Sequence, residues 1–451
     1  MLKLLQYTLV PLILLFLTAP DVSERKILVE PAPLVKETGL LSPLFESTSI
    51  QKEVLEKPAQ TYILKTPFDN RTFSDRSRNF TCQAFDTSRI YRIQEQTEVP
   101  VIPRWEHLML RNPSFSSVIK KNTFSQENLS YKDIQKRLTY FTTYMDTTNT
   151  IVGLLDKEIS ELHMLTMAAW DAFDAIKSPL ENELQYIAKT AHTAWQDGNL
   201  VAADCVRERL LYMAKQNVHT CTLPIDHFTE GTYYKAFDVG RWVTSYLQIR
   251  NTITDTTQKN VLQQWFKNLL DCQEDFTQQL LHQSNQLKEP IWNGIYSAMR
   301  VSALLGVALE SREILLQAVD TLVLVMGSIQ DTGTMRNEIE TKKESALFYH
   351  NSMANDTMAI VAIAEYNEIE LLDDENIYTF LTTVVDNLDD GALFESLTGH
   401  KQTREISIGT LFWVRYYLDV IDGNKKSALP QYIQNFIQTI DRAYMTREFW
   451  Y

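Results

Sequence analysis

Glycine is scarce in this chain, with 13 in 451 residues. Glycine punctuates hairpins, bulges and phosphate-binding loops, so its shortage turns the expectation away from strands and towards helices. Cysteine is scarcer still: Cys82, Cys205, Cys221 and Cys272 are the only four. None of them has the close spacing of a zinc site. HExxH, the Walker loop, GxSxG and CxxC are all absent, which removes the metalloprotease, nucleotide-binding, serine-hydrolase and dithiol signatures. Positive charge is also short, and the net charge is −14. That excludes nucleic acid as a main partner and admits a polyanion only in a locally positive cleft.

One apolar run stands out, "MLKLLQYTLVPLILLFLTAP" at residues 1–20. It is too short and too broken by Gln6, Thr8 and Pro11 for a membrane span. An export signal is the expected reading, with an uncleaved N-terminal anchor as the alternative. An exported chain with four cysteines permits two disulfides, in three alternative pairings. No other membrane contact is expected, and the chain is read as a monomer.

Residues 21–150 show no sustained period and read as an irregular N-terminal extension. From residue 151 to 451 the text is helical. "EISELHMLTMAAWDAFDAI" places Ile159, Leu162, Thr166, Ala169, Phe173 and Ile176 on one face. "LVAADCVRERLLYMAKQ", "YKAFDVGRWVTSYLQIR", "VLQQWFKNLLDCQEDFTQQLL", "IYSAMRVSALLGVAL" and "REILLQAVDTLVLVMG" continue the pattern. So do "SMANDTMAIVAIAEYN", "ENIYTFLTTVVDNL", "IGTLFWVRYYLDVI" and "LPQYIQNFIQTIDRAYM". Breakers at Ser178-Pro179, Asp197-Gly198, Glu289-Pro290, Gly327, Gly333, Gly391 and Gly423 separate about ten helices of 14 to 22 residues. No fixed repeat appears, so a solenoid is disfavoured. The expectation is an all-α fold of the α/α-toroid kind, an incomplete barrel of antiparallel helical hairpins with a central cleft.

Several segments carry a resemblance in order: "AADCVRERLLYMAK", "KAFDVGRWVTSYLQIR", "WNGIYSAMRVSALLGVALESREILLQAV", "NEIETKKESALFYHN" and "DDGALFESLTGHKQ". Together they resemble the alginate lyase family of α/α-toroid polysaccharide lyases, over roughly half the chain. The resemblance implies β-elimination on an acidic polysaccharide containing uronate, without metal or cofactor. A proton leaves C5, the 4-O-glycosidic bond breaks, and an unsaturated sugar remains. The C5 proton becomes removable only when the neighbouring carboxylate is neutralised by donors. A tyrosine serves as base and then acid if a nearby cation lowers its pKa from about 10.

The resemblance puts Tyr349 in the catalytic position, with His350 after it as an expected substrate contact. It puts Lys342 where the family has arginine, with Lys343 beside it, and makes Asn293 and Lys342 the carboxylate neutralisers. Lysine keeps the charge and loses the bidentate fork. The family's catalytic histidine is missing: Gly294 occupies its place, and Ser297 stands where a tryptophan is usual. Asn293, Tyr296 and Arg300 share one helical face, which offers Tyr296 and Arg300 as substrate contacts in compensation. Arg241 is a further cleft cation. Gly294 favours an inactive protein that only binds acidic polysaccharide, and the Tyr349-His350 pair favours the enzyme; a purely structural protein is the third reading.

Overall fold

The computed structural model describes residues 64–75, 80–87, 156–218, 230–287, 294–402, 406, 410–421, 423 and 429–439. All of them lie in one compact unit, Thr61–Tyr451. Residues 1–20, Cys221 and Asn293 lie outside the described residues.

Twelve α-helices run through them. They are α1 (Asp156–Asp197), α2 (Leu200–Lys215), α3 (Glu230–Ile249), α4 (Thr256–Leu287), α5 (Gly294–Ala308) and α6 (Arg312–Met326). Next come α7 (Arg336–Lys342), α8 (Ala346–Tyr366), α9 (Glu375–Asp386), α10 (Ala392–Thr398), α11 (Phe412–Val420) and α12 (Gln431–Thr439). The described residues contain no strand, only an isolated bridge between Ser74 and Asn199. Among these residues no helix is long and apolar enough to cross a membrane.

The packing sorts the helices into two rows. Helices α1, α3, α5, α8 and α11 touch in succession, and α2, α4, α6, α9 and α12 back them as the second halves of five hairpins. This is an all-α protein of the α/α-toroid type, with α7 and α10 inserted beside α8. Sequence explains which helix goes where. Every residue of α5 except Ser302 is buried, as a helix apolar on all sides requires. The outer α9 buries one stripe only, Ile377, Phe380, Leu381, Val384 and Val385. Side-chain caps start the outer helices: Asn199 accepts from Ala202 N at 3.0 Å, and Asp374 accepts from Asn376 and Ile377 N at 3.0 Å.

Two features differ from the expected helix pattern. Helix α1 continues through Pro179, where a break was expected. Proline removes one backbone donor and crowds the preceding turn, a local cost set against the packing of α1 on α2 and α3. The short α7 and α10 have too few turns to show a period.

Two pieces of the extension lie against the helices. Arg250 holds Asp69 through Nε at 2.8 Å and Nη2 at 2.5 Å, and Trp195 Nε1 donates to Phe68 O at 3.2 Å. Asn367, which ends α8, exchanges two hydrogen bonds with the Lys65 backbone, 2.8 and 3.0 Å. Farther along, Cys82 is bonded to Cys205 on α2. Arg209, one turn on, pairs with Glu183, donates to Gln83 O and lies over the Tyr186 ring at 4.0 Å. Of the three pairings open at the outset, the structure selects one that includes Cys82–Cys205; Cys272 is disulfide-bonded as well.

Helices α5 and α6 meet at Gly306, where a Cβ would lie 2.8 Å from Leu315 N and 3.1 Å from its Cα. Backbone cannot yield as a flexible side chain does. Gly306→Ala is therefore expected to destabilise the protein by about 1–3 kcal/mol in urea unfolding, although alanine is the better helix former.

Candidate functional site

The site grows from the junction of α7 and α8. Helix α7 ends at Lys342, and Lys343 leaves it with φ +42°, a backbone region that side-chain-bearing residues rarely adopt. The chain folds back there and enters α8 through a short 3-10 turn, Lys343–Ser345. The Gln402 side chain secures the reversal: its amide nitrogen donates to Lys343 O at 3.0 Å and its oxygen accepts from Leu347 N at 3.0 Å. Beneath the turn, Ile339, Ala346, Leu347 and Phe394 form a small apolar core that ties α7, α8 and α10 together.

The reversal returns the Lys342 side chain to α8. Its ammonium lies 4.3 Å from the centroid of the Tyr349 ring, a cation–π contact. Lys342 is 5% exposed, while Tyr349 beside it is half-buried. Phe348 meets the same ring edge-on at 5.5 Å. Lys343, His400 and Lys401 are exposed around the reversal, with half-exposed Glu344 among them. The amide nitrogen of Gln402 also reaches His400 O at 3.0 Å, which keeps these basic residues on neighbouring backbone.

The other residues selected from sequence are placed differently. His350 was expected to touch substrate, and it is fully buried. Its Nε2 accepts the Met335 N–H at 2.9 Å, so the ring proton is on Nδ1, which donates to Ala346 O at 2.8 Å. The ring is thus neutral, with burial holding its pKa down at about 4. Phe394 packs edge-on against it at 4.8 Å. Tyr296 is also sealed inside, its hydroxyl 3.6 Å from Met335 Sδ. Burial, followed by the charge of Glu338, pushes its phenol far above the usual range, and the sealed ring meets no substrate in this conformation.

Arg300 was expected to be a subsite cation. It is 1% exposed and pairs with Asp356 on α8 at 3.1 Å. Ser297 Oγ donates to the other Asp356 oxygen at 2.6 Å. Burial pushes the Asp356 carboxyl up, while Arg300 and then Ser297 pull it back. This trio fastens α5 to α8 and faces no solvent, so Arg300 in this conformation contacts no sugar. Arg241 pairs with Glu181 and joins α3 to α1. Gly294 is the first residue of α5. A small groove lined by Glu274, Met299, Ser302, Gln317 and Thr321 lies between α4, α5 and α6 and includes none of the residues above.

Sequence reasoning missed Met335, Gln402 and Asp356. A buried Asp seven residues after Tyr349 was visible as a polar break in an apolar helix, but its partner was not.

No protein-family model matches the chain, and no curated protein matches it. Solved structures of alginate lyase A1-III are similar in fold. One, from Sphingomonas species A1, is 16% identical with a TM-score of 0.44, covering 74% of this chain and 86% of that one. A variant complexed with tetrasaccharide is 16% identical with a TM-score of 0.49, covering 57% and 73%. An apo variant is 18% identical with a TM-score of 0.47, covering 55% and 69%. Likeness at this level carries no argument about chemistry, which rests on the side chains.

Two outcomes are expected. Between pH 6.5 and 4 the unfolded chain takes up a proton at His350 and the native protein does not. Native stability therefore falls across that window by about 3 kcal/mol from this group. His350→Gln should remove that part of the slope in urea unfolding measured along a pH series. Arg300→Met should cost about 3–5 kcal/mol, because it leaves a buried carboxylate without its cation. Arg300→Met combined with Asp356→Leu should recover most of the loss.

Proposed function

We propose that the protein is a polysaccharide lyase that cleaves an acidic, uronate-containing polymer by β-elimination. The observation that carries this reading is the Lys342 ammonium against the ring of a half-buried Tyr349. A cation within a few ångström favours the phenolate over the phenol. In this reading the Tyr349 oxygen takes the C5 proton, the C–H electron pair becomes the C4=C5 bond, and the C4–O bond breaks. The departing oxygen then takes the proton back from the Tyr349 hydroxyl, and the enzyme is regenerated.

Lys342 is nearly enclosed, so its part is to hold the phenolate rather than to reach a sugar carboxylate. Neutralisation of that carboxylate falls to Asn293, outside the described residues, and to the exposed Lys343. Two further facts support the reading. In a chain of net charge −14, basic Lys343, His400 and Lys401 gather at this one reversal. Lys343 also keeps a strained backbone there, a cost of about 1–3 kcal/mol that folds retain where surrounding contacts over-determine the geometry, often at functional sites. His350, Tyr296 and Arg300 take supporting roles. We read the protein as exported, which the Cys82–Cys205 disulfide supports.

The test is direct. Purified protein is incubated with alginate, glucuronan and pectate, and the ultraviolet absorbance of the unsaturated product is followed. At least one polymer should give signal, and Tyr349→Phe should lower it by about 10²–10⁴-fold or more. Binding without product on all three polymers would replace the enzyme by a polysaccharide-binding protein.

A further inference from the structure

We propose that His350 is a positioning residue: by accepting the Met335 N–H it fixes α7 in the seating that lays the Lys342 ammonium on the Tyr349 ring. The argument starts from the size of α7. It has seven residues, about two turns, too few to be stable alone. Ile339 packs its middle into the small apolar core, and its exact seating depends on what holds its ends. Met335 is the residue before its first turn, with extended backbone at φ −93° and ψ 119° and no side-chain cap. Its N–H donates to His350 Nε2 at 2.9 Å, and its sulfur accepts from the Tyr296 hydroxyl at 3.6 Å. The other end is Lys342, held over Tyr349. Two adjacent residues of α8, Tyr349 and His350, therefore grip the two ends of one short helix.

The His350 ring is itself held on other sides. Nδ1 is bound to Ala346 O, and the ring packs against Phe394 and Phe380, with centroids at 4.8 and 6.1 Å. Its only hydrogen-bonding face toward α7 is the Nε2 lone pair. A side chain without an acceptor there leaves a buried backbone N–H unpaired, which α7 relieves by moving. Movement at Met335 displaces the two turns that follow, and with them Lys342.

The functional meaning of this role rests on Tyr349 being the reacting group, but its test does not use activity. The readout is the titration of the Tyr349 phenol, followed by NMR in tyrosine-labelled protein and assigned with Tyr349→Phe. His350 is neutral where tyrosine titrates, so replacing it removes no charge from the site. His350→Leu should nevertheless move the Tyr349 midpoint upward by about one pH unit, as Lys342→Met should. Adding His350→Leu to Lys342→Met should move it no further. His350→Gln, which restores an acceptor at a similar reach, should return it to the wild-type value. Should His350→Leu fail to fold, Met335→Pro deletes the same hydrogen bond from the donor side and is expected to give the same shift.

A folded His350→Leu or Met335→Pro variant that titrates like wild type would overturn the proposal. So would a His350→Leu shift that persists in full without Lys342. If this titration pattern holds while no polymer yields product, the lyase reading fails and the positioning role stands.

Discussion

Helix α8 is buried on nearly every side, and a buried polar group is costly unless it is hydrogen-bonded. The arrangement around it follows from that constraint. Four polar residues of α8 or its end find partners on four different elements. His350 takes the Met335 N–H ahead of α7, and Asp356 takes Ser297 and Arg300 on α5. Asn351 donates to Thr410 and accepts from Trp413 Nε1 at 2.9 Å, which fastens α11. Asn367 pairs with the Lys65 backbone. Apolar packing would let α8 slide or rotate among near-equivalent seatings; the partners of these four residues select one.

The candidate site is the place where that rigidity meets solvent. Tyr349 lies between the sealed His350 and the exposed reversal at Lys343. The Tyr349 ring is therefore backed by a sealed neighbour and is itself only half-buried. The positive φ at Lys343 needs support from outside, and Gln402 supplies it by binding both the Lys343 carbonyl and the Leu347 N–H. A loop far along the chain thus stabilises the local geometry that brings lysine and tyrosine together.

Much of the helical order was legible in the residues. The apolar periods of α2, α6 and α9, with glycine and asparagine at their ends, reported helices because burial of one face demands that spacing. The Tyr349–Lys342 pair was legible only through resemblance. In an unbroken helix, residues seven apart are about 10 Å apart along the axis, and nothing in "KKESALFYHN" announces the reversal at Lys343. Arg300 and Tyr296 were misread for a related reason. Position on a helical face follows from sequence, but whether that face meets a cleft or the neighbouring helix does not.

The sequence by itself determined the class of structure, the row of helices and the residue types available for acid–base chemistry. Periodicity and turn residues act locally, within a few positions of one another. Tertiary structure alone decided which of those residues work at a surface and which hold the frame. His350 became a neutral internal anchor because Met335 and Phe394 close over it, and Arg300 an internal tie because Asp356 faces it. Those outcomes depend on contacts between residues 15 to 56 positions apart, a range over which local spacing carries no information.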